Sequence, residues 1–213
     1  MSLFLILLGG DLAPTDRVAS LIAGARTIAA DSGIRHAGAL GVVPELWVGD
    51  FDSASAADFA AHANVPRRTF PAGKDKTDGE LAIDIALDLG ATSLVIAGAF
   101  GGIRADHAFL HLALSLDLAE RGIAVWLTSG DQEARPVLAG ETRFDYAPGT
   151  LFSILGFTAL TGLSVSGAEW PLDRIAMPFG SSLTISNRVT TSLRVGLDSG
   201  RALLLAHPND TKA

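Results

Sequence analysis

The sequence predicts an α/β protein in which a mostly parallel sheet with helices on both faces is followed by a smaller all-β sandwich or barrel domain. Two observations carry this prediction. Up to about residue 135, short and continuously apolar runs alternate with helix-like segments, which is typical of a parallel sheet buried on both faces. After that point, short β-rich pieces are separated by Gly, Pro and Asp-Ser-Gly turns, which is typical of antiparallel strands.

Six apolar runs in the first part are predicted to be strands. The first of them ends at the turn formed by Gly9 and Gly10. It lacks the positive flank of a signal sequence and is too short to span a bilayer, so a buried strand is expected. The predicted strands are residues 3–8, 26–30, 46–48, 68–71, 93–97 and 124–128.

Five segments between or after these strands have helical patterns. In the clearest one, Leu81, Ile85 and Leu89 recur every four residues and a glycine follows. Ser55 and Asp58 have the spacing of a capping box at the start of another helix. The predicted helices are residues 16–25, 34–40, 55–63, 77–89 and 106–121.

The remainder of the chain shows β-rich pieces and no convincing helix. The pieces are TRFDYA, LFSILGF, LSVSGAEW, SLTISNRV, SLRVGL and ALLLAHP. Their spacing predicts an antiparallel sandwich or barrel. We therefore predict an α/β domain over residues 1–137 and a β-sandwich domain over residues 138–213.

Composition favours a compact soluble protein and argues against two classes of partner. The chain has 213 residues, of which 48% are apolar and 18% charged, and a formal net charge of -7. No basic stripe is present to neutralise phosphates, and no apolar run reaches membrane length, so neither a nucleic-acid partner nor a membrane partner is expected. The absence of cysteine excludes disulfides and thiolate metal sites, and a cytoplasmic location is expected.

Two acids, Asp50 and Asp52, stand two residues apart in VGDFDSAS, where the third predicted strand ends. On an extended backbone such residues point to the same side, and two close carboxylates repel unless a cation lies between them. Oxygen ligands of this kind suit Mg²⁺, which proteins usually hold with one or two carboxylates and substrate phosphates. The alternative is that Asp50 closes a turn and Asp52 or Ser53 helps the next helix to start.

The segment GKDKTDGE, residues 73–80, combines lysines, acids and a threonine just before a predicted helix. A helix N-terminus with nearby lysines is suited to phosphate, and Asp78 in the first turn is placed to reach a metal. The alternative is a solvated loop whose acids complement the helix dipole.

The segment GAFGGIRADH, residues 98–107, leads from a buried strand into a long helix. Its glycines allow backbone N–H groups to approach an anion closely, and Arg104 has the chemistry of a bidentate phosphate clamp. Asp106 either caps the helix or binds metal. The segment matches neither the P-loop nor the dinucleotide fingerprint, so alone it is a weak signal.

These segments are expected to meet, because ligands bind parallel sheets outside the carboxyl ends of the strands. Asp31 also follows a predicted strand and is expected at the same edge. In the β-rich part, Trp170 is either a core residue or a stacking platform for a flat ring. Ser186 and Asn187 form either a turn or a set of hydrogen-bonding groups for a polar ligand.

Taken together, the motifs resemble those of the thiamine pyrophosphokinase family, in the same order and through nearly the whole chain. They are ADSG 30–33, PELWVGDFDS 44–53, FPAGKDKTD 70–78, GAFGG with the following Arg and Asp-His over 98–107, GAEWPL 167–172 and ISN 185–187. The combination of GDFDS, KDKTD and the Asp-His pair is specific to this family, whereas each piece alone is not.

The resemblance implies an enzyme, a thiamine diphosphokinase that transfers a diphosphate from ATP to the hydroxyl of thiamine and yields thiamine diphosphate and AMP. It also implies an α/β catalytic domain followed by a thiamine-binding β-sandwich domain, in a homodimer. Mg²⁺ is the expected metal, with Mn²⁺ as a possible substitute. Two alternatives are a Mg²⁺-dependent phospho- or nucleotidyltransferase acting on another small alcohol, and a non-catalytic thiamine or nucleotide sensor.

By this resemblance the site residues fall into three groups. The metal ligands are expected to be Asp50, Asp52 and Asp78, which together with Arg104 and Asp106 form the catalytic set. The ATP and phosphate side is expected to hold Asp31, Lys74, Lys76, Thr77, Gly101 and Gly102. The thiamine side is expected to hold Trp170, Thr184, Ser186 and Asn187.

Overall fold

A computed structural model describes residues 2–73, 75–101 and 104–211 of the chain. The chain folds into two compact units. The first comprises Met1–Ala108 and Gly122–Gly130, and the second comprises Phe109–Arg121 and Asp131–Ala213. The functional division into residues 1–137 and 138–213 stays a prediction.

The described part of the first unit holds six strands, all paired in parallel, as the apolar runs predict. They are β1 (Leu3–Leu7), β2 (Arg26–Ala30), β3 (Leu46–Gly49), β4 (Arg67–Thr69), β5 (Ser93–Ala97) and β6 (Ala124–Thr128). Their order across the sheet is β4-β3-β2-β1-β5-β6. The neighbouring strands β2 and β3 therefore present their carboxyl ends side by side.

Helices follow most of these strands. They are α1 (Asp16–Leu21), a 3-10 helix (Asp31–His36), α2 (Ala37–Leu40), α3 (Ala56–Ala61), α4 (Asp78–Asp88) and α5 (Ala105–Glu120), of which α5 continues into the second unit. The capping box of Ser55 and Asp58 is confirmed at the start of α3. The helix predicted over 34–40 begins earlier, because the chain turns directly after β2. There Gly33 lies so close to the backbone of Leu7 that a Cβ would meet the Leu7 carbonyl oxygen at 2.2 Å.

The core of the first unit is an apolar cluster built from β1, β2, β3, β5 and the helices that cover them. Its largest fully buried side chain is Trp47 on β3. Phe51 and Phe59, from the turn after β3 and from α3, pack against this cluster. The residues that follow β3 are therefore anchored to the core by aromatic rings.

The second unit contains seven antiparallel strands in its described part, which confirms the predicted β-rich texture. They are β7 (Glu133–Val137), β8 (Gly140–Phe144), β9 (Thr150–Gly156), β10 (Leu160–Ala168), β11 (Leu172–Met177), β12 (Asn187–Leu197) and β13 (Ala202–Thr211). The order is β11-β10-β12-β9-β13-β7, and β8 pairs with β12.

One β-rich piece, SLTISNRV, is a strand only in its last residues. β12 begins at Asn187, and Ser186 before it has a φ of 62°. Residues 182–186 therefore form a loop that precedes β12. No helix among the described residues has both the length and the apolar character needed to cross a bilayer.

Candidate functional site

Three acids meet at the carboxyl ends of β2 and β3. Asp31 follows β2, whereas Asp50 and Asp52 follow β3. One carboxylate oxygen from each of the three lies within 4.8 Å of the others. The expectation that acids after neighbouring strands converge on one edge of the sheet therefore holds for these three side chains.

The backbone that carries these acids is strained rather than extended. Asp31 has a φ of 44° and Phe51 a φ of 63°, and the left-handed region is unusual for residues other than glycine, above all for a bulky one. The extended geometry assumed for residues 50–52 is therefore wrong. Instead, the Asp52 N–H donates to Oδ1 of Asp50 at 3.2 Å, which closes a tight turn. The turn that the sequence offers as the alternative to a metal site is therefore present, and it keeps the two carboxylates close together.

Electrostatic repulsion inside this group acts on the pKa of Asp52. The pKa of Asp52 is raised above its ordinary value, first by the negative charge of Asp50, then by loss of hydration and by the charge of Asp31. Asp78 contributes to the same shift from the start of α4. Four acids therefore share one field, and we refer to Asp31, Asp50, Asp52 and Asp78 as the four-acid edge.

Asp31 is held from two sides and keeps one oxygen without a partner. Its main-chain oxygen accepts a hydrogen bond from Nε1 of Trp47 at 2.8 Å. The Ser53 hydroxyl donates to Oδ2 of Asp31, so Ser53 does not start α3, which Ser55 caps instead. Oδ1 of Asp31 is buried and has no hydrogen-bond partner in the described part of the chain.

The segment before α4 is organised as a helix cap. The Glu80 N–H donates to the Thr77 hydroxyl at 3.2 Å, and the Glu80 carboxylate accepts the Thr77 N–H at 3.0 Å. Nζ of Lys76 forms an ion pair with Asp84 at 2.5 Å. Lys74 lies outside the described residues. The Thr-x-x-Glu spacing typical of this cap is present in the sequence. From the sequence we expect Thr77 on the phosphate side, and the cap is not among the predictions.

After β5, the predicted phosphate clamp is paired with a neighbouring acid. Arg104 donates from Nε and Nη2 to the two carboxylate oxygens of Asp106, at 2.9 and 2.7 Å. This bidentate contact holds the pKa of Asp106 well below its usual range. Both side chains are exposed, so the guanidinium has an orientation fixed by Asp106 while it stays accessible to an anion.

A further acid, Asp11, lies beside the glycine loop. Gly101 has a φ of 72°, and a Cβ there would lie 2.7 Å from Oδ2 of Asp11. Gly102 lies outside the described residues. Asp11 is not among the predicted site residues, although it lies in the loop after β1, four residues beyond the end of the strand, and this position was the available signal.

In the second unit, the predicted polar residues are engaged in holding loops. Asn187 accepts the Trp170 N–H at 3.1 Å and donates to the Trp170 carbonyl at 2.8 Å. The Thr184 hydroxyl is buried and donates to the carbonyl of Ile154 at 2.6 Å. The N–H of Ser186 donates to the hydroxyl of Ser153 at 3.0 Å.

Apolar side chains around these polar residues are exposed. Trp170 is 56% exposed and Leu183 is 61% exposed, so the reading of Trp170 as a core residue is wrong. Its indole is presented on a loop whose backbone Asn187 fixes. This arrangement leaves the ring as an accessible flat surface.

Comparison with known proteins identifies relatives for both parts of the chain. Residues 19–127 match the family model described as thiamin pyrophosphokinase, catalytic domain. Residues 141–201 match the model described as thiamin pyrophosphokinase, vitamin B1 binding domain. The thiamine pyrophosphokinase of Bacillus subtilis (strain 168) is 28% identical over 156 residues, which is 71% of this chain and 72% of that protein.

Solved structures of the same name have the same fold. A crystal structure of thiamine pyrophosphokinase from Bacillus subtilis has a TM-score of 0.86 at 23% identity and covers 98% of this chain and 100% of that chain. The thiamin pyrophosphokinase from Candida albicans has a TM-score of 0.81 at 14% identity, covering 98% of this chain and 89% of that chain. At these identities the structures support the fold alone.

Proposed function

Because the chain belongs to the thiamin pyrophosphokinase family, we propose that its four-acid edge binds the Mg²⁺ and ATP phosphates from which a diphosphate passes to the hydroxyl of thiamine. The products are thiamine diphosphate and AMP. The observation that carries the assignment of the site is the approach of three carboxylates to within 4.8 Å of one another at the carboxyl edge of a parallel sheet.

The chemistry of these residues fits a hard divalent cation. Carboxylate oxygens are the ligands that Mg²⁺ prefers, and the raised pKa of Asp52 reports a repulsion that a bound cation would relieve. The buried Oδ1 of Asp31, which lacks a hydrogen-bond partner among the described residues, is a further available ligand. Asp50, Asp52 and Asp78 are the proposed ligands, with Asp31 beside them. When bound, the metal supplies charge neutralisation for the transferring phosphate oxygens.

The chain itself contributes position and charge. Diphosphate transfer to an alcohol depends mainly on alignment of the groups and on neutralisation of charge on the oxygens. Arg104, held in one orientation by Asp106, is suited to donate hydrogen bonds from its guanidinium to phosphate oxygens. Lys76, which is half-exposed and pairs with Asp84 of α4, is proposed to contact phosphate, and the same role is proposed for Lys74. Gly101 and Gly102 are proposed to offer backbone N–H groups.

The second unit is proposed to supply the thiamine side. The exposed indole of Trp170 is suited to stack on an aromatic ring of the vitamin. Asn187 and Thr184 act behind it, because their polar atoms hold backbone groups. Ser186 is proposed as a polar contact. We propose that residues 1–137 form the catalytic, ATP-binding domain and that residues 138–213 form the thiamine-binding domain. The proposal also includes assembly as a homodimer and a cytoplasmic location.

The decisive experiment is an assay of AMP release from ATP by the purified 213-residue chain. We expect release that requires both thiamine and a divalent cation, with Mg²⁺ or Mn²⁺ effective, and stoichiometric formation of thiamine diphosphate. Release with another small alcohol but not with thiamine would overturn the proposed substrate. Thiamine binding measured by calorimetry, without product under any metal, would make the protein a sensor instead.

A further inference from the structure

Trp47 is a fully buried residue of β3 that contacts both of the strained turns at the four-acid edge. Its indole Nε1–H donates to the main-chain oxygen of Asp31 at 2.8 Å. Its ring meets the ring of Phe51 edge to face, with centroids 5.0 Å apart and planes at 82°. Both Asp31 and Phe51 have a positive φ, which is uncommon for residues other than glycine.

Each contact acts at the point where the backbone is strained. A residue in the left-handed region persists when its surroundings favour that conformation over the relaxed one. At Asp31 the indole hydrogen bond fixes the carbonyl of the left-handed residue itself. At Phe51 the aromatic ring packs between Trp47 and Phe59, with centroids 5.0 and 5.9 Å away, which holds this partly buried ring against the core.

We propose that Trp47 is a positioning residue that ties the Asp31 turn to the Asp50–Asp52 turn, and so sets the spacing of the carboxylates before a metal binds. It touches neither substrate nor metal. The inference rests on the proposed function, since it concerns the affinity of the four-acid edge for a divalent cation.

The chain offers matched variants for a test. Trp47→Phe removes the indole N–H and keeps an aromatic ring against Phe51. Trp126→Phe makes the same chemical change on β6, which is separated from β3 by three strands of the sheet. Phe59→Leu removes a ring that packs on Trp47 at 5.1 Å but keeps the indole hydrogen bond.

The primary measurement is the affinity of the protein for Mn²⁺ in the absence of nucleotide. Binding is detected as a decrease in the electron paramagnetic resonance signal of free Mn²⁺. Loss of one buried hydrogen bond predicts a weakening of about threefold to tenfold in Trp47→Phe. Trp126→Phe should stay within about twofold of the unchanged chain, and Phe59→Leu, which keeps the indole hydrogen bond, should weaken Mn²⁺ binding less than Trp47→Phe, even where the melting temperatures fall. A purely structural role for Trp47 would lower its melting temperature and leave the Mn²⁺ affinity of the folded protein unchanged.

A second measurement observes Trp47 directly. In protein labelled with ¹⁵N-tryptophan, the three tryptophans give indole N–H signals that Trp→Phe variants assign. Addition of Mg²⁺ should shift the Trp47 signal, and Asp50→Asn should abolish that shift. An unmoved Trp47 signal at Mg²⁺ concentrations that displace bound Mn²⁺ overturns the inference.

The outcomes separate the two levels of the proposal. If the unchanged chain binds Mn²⁺, and Asp50→Asn prevents this, the metal site stands. Equal affinity in Trp47→Phe, or an equal loss in Phe59→Leu, then overturns the role of Trp47 alone. If the unchanged chain does not bind Mn²⁺, or if Asp50→Asn leaves its Mn²⁺ binding unaffected, the metal site and the inference fail together.

Discussion

The two regions that carry the family motifs use their polar side chains in opposite ways. At the four-acid edge, carboxylates are crowded together, their backbone is strained, and repulsion raises the pKa of Asp52. In the loops around Trp170, the motif residue Asn187 and the nearby Thr184 are buried and direct their hydrogen bonds to the backbone, while apolar side chains are exposed. Motif membership alone therefore does not separate a residue that meets a ligand from one that shapes the loop behind it.

The largest effect is expected from removal of one charge at the four-acid edge. Asp50→Asn should lower turnover by about a hundredfold or more, because a charge-stabilising group acts most strongly in the transition state. The melting temperature without metal should stay equal or rise, because the repulsion between Asp50 and Asp52 disappears. Steady-state kinetics and thermal melts in EDTA check both parts.

Asp88→Asn is a suitable control for this change. Asp88 is an exposed acid of α4 in the same unit, so its replacement should alter neither turnover nor stability appreciably. A large loss of stability in Asp50→Asn with retained turnover would reduce Asp50 to a residue that closes a turn.

An intermediate effect is expected in the second unit, where ring and scaffold should respond differently. Trp170→Ala should raise the KM for thiamine by about tenfold, a loss comparable to an aromatic stacking contact, and leave the melting temperature nearly unchanged because the side chain is 56% exposed. Asn187→Leu should raise the same KM and also lower the free energy of unfolding by about 2 to 3 kcal/mol, since two backbone groups of Trp170 lose their partner.

Thr184→Val separates these two effects. It should cost about 1 to 2 kcal/mol of stability, because the buried carbonyl of Ile154 loses its donor, and it should leave the KM for thiamine unchanged. An increase in KM equal to that of Trp170→Ala would mean that Thr184 contacts the substrate, and the contrast between ring and scaffold would fail.

The smallest effect is the dependence of stability on pH at Asp52. Because its pKa is raised in the folded state, the folded chain binds this proton more tightly than the unfolded chain. The resulting stability is fully present below the ordinary aspartate pKa and is lost as pH rises through the folded pKa. The effect is small because Asp52 is exposed to solvent.

Thermal melts in EDTA between about pH 4 and 7 test this point. The melting temperature of Asp52→Asn should exceed that of the unchanged chain at the upper end, and the gap should shrink as pH falls. Mg²⁺ at neutral pH should raise the melting temperature of the unchanged chain. A gap that does not vary with pH would show that Asp52 carries no repulsion.

Much of the fold and part of the site follow from the sequence. Continuous apolar runs and helical spacing are local properties, so they place the strands of the first unit and the cap at Ser55. The rule that ligands bind at the carboxyl ends of parallel strands then brings Asp31, Asp50 and Asp52 together. Among the mistaken predictions are the extended backbone assumed at Phe51 and the core position kept open for Trp170.

What the sequence by itself determined is which residue types stand at the ends of which elements, and with them the family and the acidic character of the site. Only the tertiary structure decided how these residues are used. The bond from Trp47 to Asp31 spans 16 positions, and the contact of Asn187 with Trp170 spans 17. Such pairings depend on which loops the packed strands bring together, and on which polar atoms burial deprives of water. The spacing of residues along the chain contains neither kind of information. Similar motifs therefore produce crowded carboxylates in one unit and side chains hydrogen-bonded to the backbone in the other.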